Sequence, residues 1–224
     1  MPIIKDTYSP SRLFKNPDIS TIYAAKIRSI AFTSFKRERL ELSDGDFLDL
    51  DWNTQPGNSN RISILLHGLA GNAQRPYMTG MAKIFFENGW DVVRMNFRGC
   101  SHEPNRMYKS YHAGDTSDLE EGISYIDSLK QYQSISLIGF SLGANLILKY
   151  LGENKNLPSS LKAAAGISVP CDLSGSLGAI NRKRNFLYSK RFLLSLRNQL
   201  KRRAQLFPDE IKRNEIAACT SLRD

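Results

Sequence analysis

The chain has 224 residues, enough for one sizeable core or two small ones; its 41% hydrophobic content is a little below the usual range and its 24% charged content is ordinary for a globular domain. No run approaches the roughly 18 apolar residues that a membrane-crossing helix needs. Much of the net charge of +9 comes from the segment after Asp172. No phosphate-cradling glycine-lysine loop, dinucleotide fingerprint, paired Cys-x-x-Cys or helical histidine pair is present, so no cofactor or metal is expected, a nucleotide enzyme is disfavoured, and no nucleic-acid partner is expected. The start, Met1 to Asp6, lacks the apolar core and cleavage site of a signal peptide. Cys100, Cys171 and Cys219 are odd in number and widely spaced, which reads as free thiols. Together these give a cytoplasmic location as the default expectation.

A polar, proline-punctuated arm runs to about Ser20. Two β-like runs, Arg39 to Leu42 and Phe47 to Trp52, then flank Ser43-Asp44-Gly45-Asp46, and Asp-Gly between alternating runs predicts a hairpin. A linker over 53–60 leads to a buried strand, Arg61 to Leu66, which opens into His67-Gly68-Leu69-Ala70-Gly71-Asn72. Met78, Met81, Ala82 and Phe85 fall at helical spacing within Tyr77 to Asn88, with Asn88-Gly89 as a stop signal. A strand over Trp90 to Phe97 follows, then a helix from Asp115 to Leu129 with its apolar stripe at Leu119, Ile123 and Ile126. Ile135 to Phe140 reads as a strand, Leu142 to Leu151 as a helix, and Ala163 to Val169 as a further strand. Such alternation argues for a mostly parallel sheet covered by helices on both faces.

The junction Gly139-Phe140-Ser141-Leu142-Gly143 has the form Gly-x-Ser-x-Gly, with strand before it and helix after it. That context is what a nucleophile elbow requires: the serine sits on a strained turn, and small residues two positions either side avoid clashing with it. In such a site the residue after the serine and a residue of the upstream glycine-rich loop each aim an N–H at the oxyanion, here Leu142 and Leu69.

Four blocks carry a family resemblance: His67 to Asn72; Asn96-Phe97-Arg98-Gly99-Cys100-Ser101; Tyr111 to Leu119; and Gly139 to Asn145 with its continuation Lys149-Tyr150-Leu151-Gly152-Glu153. From about Leu13 onward the chain resembles the AB hydrolase 4 family of α/β-hydrolases, a group with YheT-like bacterial members and lipid-active mammalian relatives. Ala144 stands where that family usually has a third glycine, and Pro17-Asp18-Ile19 replaces a histidine-containing stretch. The resemblance implies an α/β-hydrolase fold and a serine hydrolase acting on carboxylic esters of short to medium acyl chains. It also implies that the catalytic acid and histidine come after a block whose counterpart here is Cys219 to Asp224. The expectation is therefore a core over 1–171, incomplete in its C-terminal part, and a basic helical lid over 172–224.

The candidates for the missing roles are few. The fold uses the order nucleophile, acid, histidine, and no histidine follows His112. His67 belongs to the oxyanion loop and is expected to shape it by hydrogen bonding, while His102 and His112 precede the serine and are expected to be structural. Asp172 lies where some members of the superfold draw an acid, but it also reads as a helix N-cap. Asp115 and Asp118 read as helix N-terminal residues, and Cys100 as a structural thiol without an adjacent base.

From Asp172 on, Arg182, Lys183, Arg184, Lys190, Arg191, Arg197, Lys201, Arg202, Arg203, Lys212 and Arg213 crowd among leucines and aromatics at roughly helical spacing. A lid is what the resemblance implies. A solvated basic face, or a peripheral membrane or nucleic-acid contact, are the other readings. The alternative to an esterase is a truncated, catalytically impaired scaffold with a binding role, in which an open sheet edge would favour dimerisation.

Overall fold

The computed structural model describes residues 3–223. Its centre is a six-stranded mixed sheet of β1 (Lys36–Glu41), β2 (Phe47–Asn53), β3 (Arg61–Leu66), β4 (Asp91–Met95), β5 (Ser134–Phe140) and β6 (Leu161–Ile167), in the order β1-β2-β4-β3-β5-β6. β1 and β2 form the expected hairpin. Gly45, at φ 85°, turns the chain, Gly45 N–H donates to Leu42 O, and Glu41 pairs with Phe47. β2 joins β4 antiparallel, whereas β4, β3, β5 and β6 run parallel.

Parallel strands need crossovers, and the helices supply them on both faces. The helix α1 (Pro17–Ile22) precedes the sheet, and α2 (Pro76–Glu87), α3 (Ser117–Ser128) and α4 (Leu142–Glu153) connect its strands. Strand alternation sends Ile62, Ile64 and Leu66 of β3 to one side, where they pack with Leu119, Ile123 and Ile126 of α3 and Leu146 and Ile147 of α4. Leu65 goes to the other side, against Met78 and Ala82 of α2. β6 forms the other edge of the sheet, and Lys162 to Gly166 along it are exposed. Beyond it lie α5 (Leu173–Ile180), the 21-residue α6 (Phe186–Leu206) and α7 (Arg213–Ala218).

Where boundaries differ from the sequence reading, local hydrogen bonds explain it. Within the arm read as irregular, Asn16 accepts from the N–H groups of Asp18 and Ile19, with Pro17 at the first helical position, so α1 forms there. Asp115 lies outside α3, where its carboxylate accepts from Ser117 N–H at 3.0 Å. The last strand begins and ends two residues earlier than expected, and Ser168 after it adopts φ 54°. Asp224, the end of the Cys219 block, lies outside the described residues.

A buried ion cluster locks the hairpin to the strand ends. Arg98, its side chain 1% exposed, binds both oxygens of Asp118 at 2.7 and 2.8 Å and reaches Asp46 at 3.0 Å and Asp44 at 2.8 Å. The carboxylates outweigh the desolvation cost and hold the Arg98 guanidinium firmly protonated. Asn105 donates to Asp46 and to Phe47 O, completing the cluster.

Candidate active site

β3 and β5 are parallel neighbours with Leu66 beside Gly139, so the loops that leave them meet at one end of the sheet. The chain reverses direction across the sheet here, with β4 on one side of β3 and β5 on the other, which is where open α/β sheets form ligand crevices. Ser141 sits at the junction with φ 51° and ψ −116°, a region that costs a non-glycine residue about 1–3 kcal/mol. Its own N–H donates to Ile167 O at 2.9 Å, its carbonyl accepts from Asn145 N–H at 3.0 Å, and its side chain is exposed. The two flanking glycines are required by proximity. A Cβ on Gly139 would lie 2.5 Å from the backbone of Ala144, and one on Gly143 would lie 2.7 Å from the carbonyl oxygens of His67 and Leu66.

The loop after β3 is held amide by amide. Gly68 N–H donates to the Tyr77 hydroxyl at 3.2 Å, Ala70 N–H to the Tyr111 hydroxyl at 3.1 Å, Gly71 N–H to Gly68 O at 3.0 Å, and Ala73 N–H to the Asn96 side chain at 3.0 Å. Among the described residues the Leu69 N–H has no such acceptor. Leu142 opens α4, so its N–H has no acceptor inside the helix. A Cβ on Gly68 would stand 3.2 Å from Ser141 Cβ, which places the loop directly beside the serine. Tyr77 and Tyr111 were not legible as loop anchors, although Tyr111 lies within one of the four blocks. Only the fold shows which hydroxyl meets which amide.

His67 is fully buried, and both ring nitrogens are committed. Nε2 accepts from Phe97 N–H at 3.2 Å, which leaves Nδ1 protonated and donating to Gly68 O at 2.8 Å. Burial drives its pKa down to about 4, so the ring is a neutral brace between two strand ends. His102 and His112 are exposed and lie away from Ser141: His102 lines a separate small pocket, and His112 Nδ1 accepts from Gly114 N–H at 3.1 Å. Asp172 caps α5, its carboxylate accepting from Gly175 N–H at 2.9 Å, in an exposed position. Cys100 is buried, and that burial pushes its thiol up to about 11, as suits a structural residue.

Ser141, Leu69 and Tyr77 line a pocket of about 430 Å³. Its floor comes from the β5–α4 junction and the loop after β3. Its far wall comes from Tyr188, Phe192 and Ser195 of α6 and from Thr21, Ile22 and Ala25 of the N-terminal segment. The two wall elements are joined, since the Tyr188 hydroxyl donates to Asp18 at 2.8 Å. The lining is predominantly apolar, and its cations are Arg75 and Arg191.

The comparisons with known proteins agree with this architecture. The chain is 31% identical over 220 residues to YheT of Escherichia coli (strain K12), covering 96% of this chain and 64% of that protein. It is 25% identical to the mouse protein named Phospholipase ABHD3, covering all of this chain and 56% of the relative. The chain thus spans less than two thirds of the length of these relatives. The fold superimposes on the Pyrococcus furiosus esterase Pf2001 with a TM-score of 0.55 at 22% identity, over 75% of this chain and 66% of that one. Residues 64–210 match the family model described as the alpha/beta hydrolase fold, and with the turn at Ser141, the loop after β3 and the sheet order in view, the chain belongs to the α/β-hydrolase fold family.

Proposed function

We propose that this chain carries the nucleophile and oxyanion half of a serine hydrolase that acts on carboxylic esters of short to medium acyl chains. The observation that carries the reading is Ser141 at its strained turn, exposed on an apolar pocket beside a loop whose Leu69 N–H has no acceptor among the described residues. In this reading Ser141 Oγ attacks the ester carbonyl and gives its proton to a base. The N–H groups of Leu69 and Leu142 hold the oxyanion, and collapse expels the alcohol, leaving an acyl group on Oγ for water to remove. The serine separates this chemistry from branches of the superfold that place aspartate at the elbow. None of the three histidines fits the role of base, so the base and its acid partner would be supplied from outside residues 3–223, as the AB hydrolase 4 resemblance implies.

The same reading takes 1–171 as the core and 172–224 as a basic lid segment, supported by the α6 residues that wall the pocket. It takes the exposed edge of β6 as the place where a further strand or a second copy would pair. No described helix is long and apolar enough to cross a membrane, and a cytoplasmic setting with free thiols is proposed. A second reading, a binding scaffold without turnover, is favoured by the engaged or distant histidines.

Fluorophosphonate labelling read by peptide mass spectrometry, with Ser141→Ala as control, tests the assignment. The expected result is an adduct on Ser141 alone, forming slowly and faster with added imidazole. Adducts that form equally in the alanine variant would overturn it. No adduct in a folded chain, with or without imidazole, would leave the scaffold reading.

A further inference from the structure

The exposed face of α6 is neither an ordinary solvated face nor a buried one. On a helix of 3.6 residues per turn, positions seven apart nearly superimpose, and here they are Leu187 and Leu194, 75% and 49% exposed. Lys190 and Lys201 run along one side of this leucine line, and Arg191 and Arg202 along the other, all four exposed. Phe186, 59% exposed, extends the apolar strip at the helix start. Between residues 173 and 208 the sequence holds nine Lys and Arg and no Asp or Glu. Ordinary surface helices intersperse both signs of charge and turn their leucines inward. An apolar line with cationic flanks is instead the pattern of a helix lying in a bilayer interface, leucines in the acyl boundary and cations among anionic headgroups.

We infer that the outward face of α6 docks on an anionic lipid bilayer. Charge complementarity selects this occupant, because a face of one sign with no acid along it repels a second copy of itself, and nucleic acid offers nothing to cover the leucines. Arg191 belongs both to this face and to the pocket lining, so docking sets the mouth of the Ser141 pocket at the lipid surface. The inference does not depend on Ser141 being a nucleophile, since it concerns only binding.

The test is co-sedimentation of the 224-residue chain with vesicles of phosphatidylcholine alone and with phosphatidylglycerol added, at low and high salt. Size-exclusion and circular-dichroism checks accompany every variant. The expected result is binding to the anionic vesicles only, lost at high salt. Lys201→Glu with Arg202→Glu lowers binding at least about tenfold, and Leu187→Ser with Leu194→Ser lowers it by roughly the same factor at unchanged charge. All four positions are exposed, so the variants are expected to fold. Equal binding to both vesicle types overturns the inference, as does absence of binding. So does lipid binding indifferent to the leucines, or a dimer that Leu187→Ser dissolves. A short duplex DNA that binds as tightly as the anionic vesicles do, with the leucine pair irrelevant, would identify a nucleic-acid face instead.

Discussion

Three glycines in the strand–turn–helix unit of β5 and α4 allow the close packing around Ser141 to be tested without reference to catalysis. Gly143→Ala places a methyl group 2.7 Å from the carbonyl oxygens of His67 and Leu66. Ordinary contact begins at about 3.5 Å, so α4 and the loop after β3 must separate by about 0.8 Å. Both obstacles are backbone where β3 runs into its loop, both residues buried, and overpacking of this kind costs about 1–3 kcal/mol. For a chain of this size that corresponds to a melting point lowered by roughly 2–12 °C. The displaced atoms adjoin Gly68 and Leu69, so the candidate oxyanion donor moves with them and Ser141 labelling should slow as well. Gly139→Ala, with its 2.5 Å approach to the Ala144 backbone, should cost at least as much. Gly152→Ala is the internal control. It lies near the end of α4 with nothing within 4 Å of the added carbon, and it should stabilise by up to about 0.5–1 kcal/mol. Thermal melts by circular dichroism read all three. A Gly143→Ala protein that melts with wild type, or a Gly152→Ala protein that falls alongside it, would refute the close-approach argument.

Tyr111→Phe removes the acceptor for Ala70 N–H, which should cost about 1–3 kcal/mol and slow Ser141 labelling; a variant with unchanged melting and labelling would show the loop to be held otherwise. His67 is neutral when folded, its pKa lowered from 6.5 to about 4, so its contribution is intact above pH 6.5 and is lost as the pH falls toward 4. Urea titrations should show stability falling by up to about 3 kcal/mol across that window, with a shallower fall in His67→Gln. Arg98→Met leaves Asp46 and Asp118 buried without their cation and should cost about 3–5 kcal/mol, whereas Lys130→Met, at an exposed pair with Asp127, should change stability by under about 1 kcal/mol. Comparable losses in the two would remove the distinction between the clusters.

The sequence was most legible where one residue's geometry is dictated locally. Asp44-Gly45 announced the hairpin because the turn needs positive φ, and Gly139 and Gly143 marked the tight strand-to-helix junction because only glycine tolerates those approaches. The N-cap reading of Asp172 held for the same reason, since a cap is a contact three residues long. Contacts that join distant segments were not legible. Arg98 reaches Asp46 across 52 positions and Tyr111 reaches Ala70 across 41, and nothing in periodicity or spacing selects those partners. The helix α1 was missed because six residues are too few for a periodic signal, although Asn16-Pro17 already carried its start. The pocket wall was legible only as a basic segment, because the meeting of α6 with α1 depends on the tertiary contact between Tyr188 and Asp18.

The two tasks that the proposed ester hydrolysis would require are separated by where the hydrogen bonds of this chain go. Stabilising an oxyanion needs donors fixed before the reaction, and the loop after β3 has that character. Its neighbouring amides are bound by Tyr77, Tyr111 and Asn96, its histidine is a neutral brace, and its approach to α4 is so close that a Cβ added at Gly143 would lie 2.7 Å from the His67 and Leu66 carbonyl oxygens. Accepting a proton needs a group that titrates near neutrality and reaches Ser141 Oγ. His67 fails the first requirement, with its pKa near 4, and both its nitrogens are already bonded. His102 and His112 fail the second, since neither lines the serine's pocket. A pH profile of Ser141 labelling then discriminates between sources of the base. If the oxyanion half acts alone, the rate should rise with hydroxide across pH 6–9 without a plateau, and added imidazole should create an inflection near its own pKa. An inflection in the chain by itself, abolished by His102→Gln or His112→Gln, would mean that one of these rings reaches the serine after all.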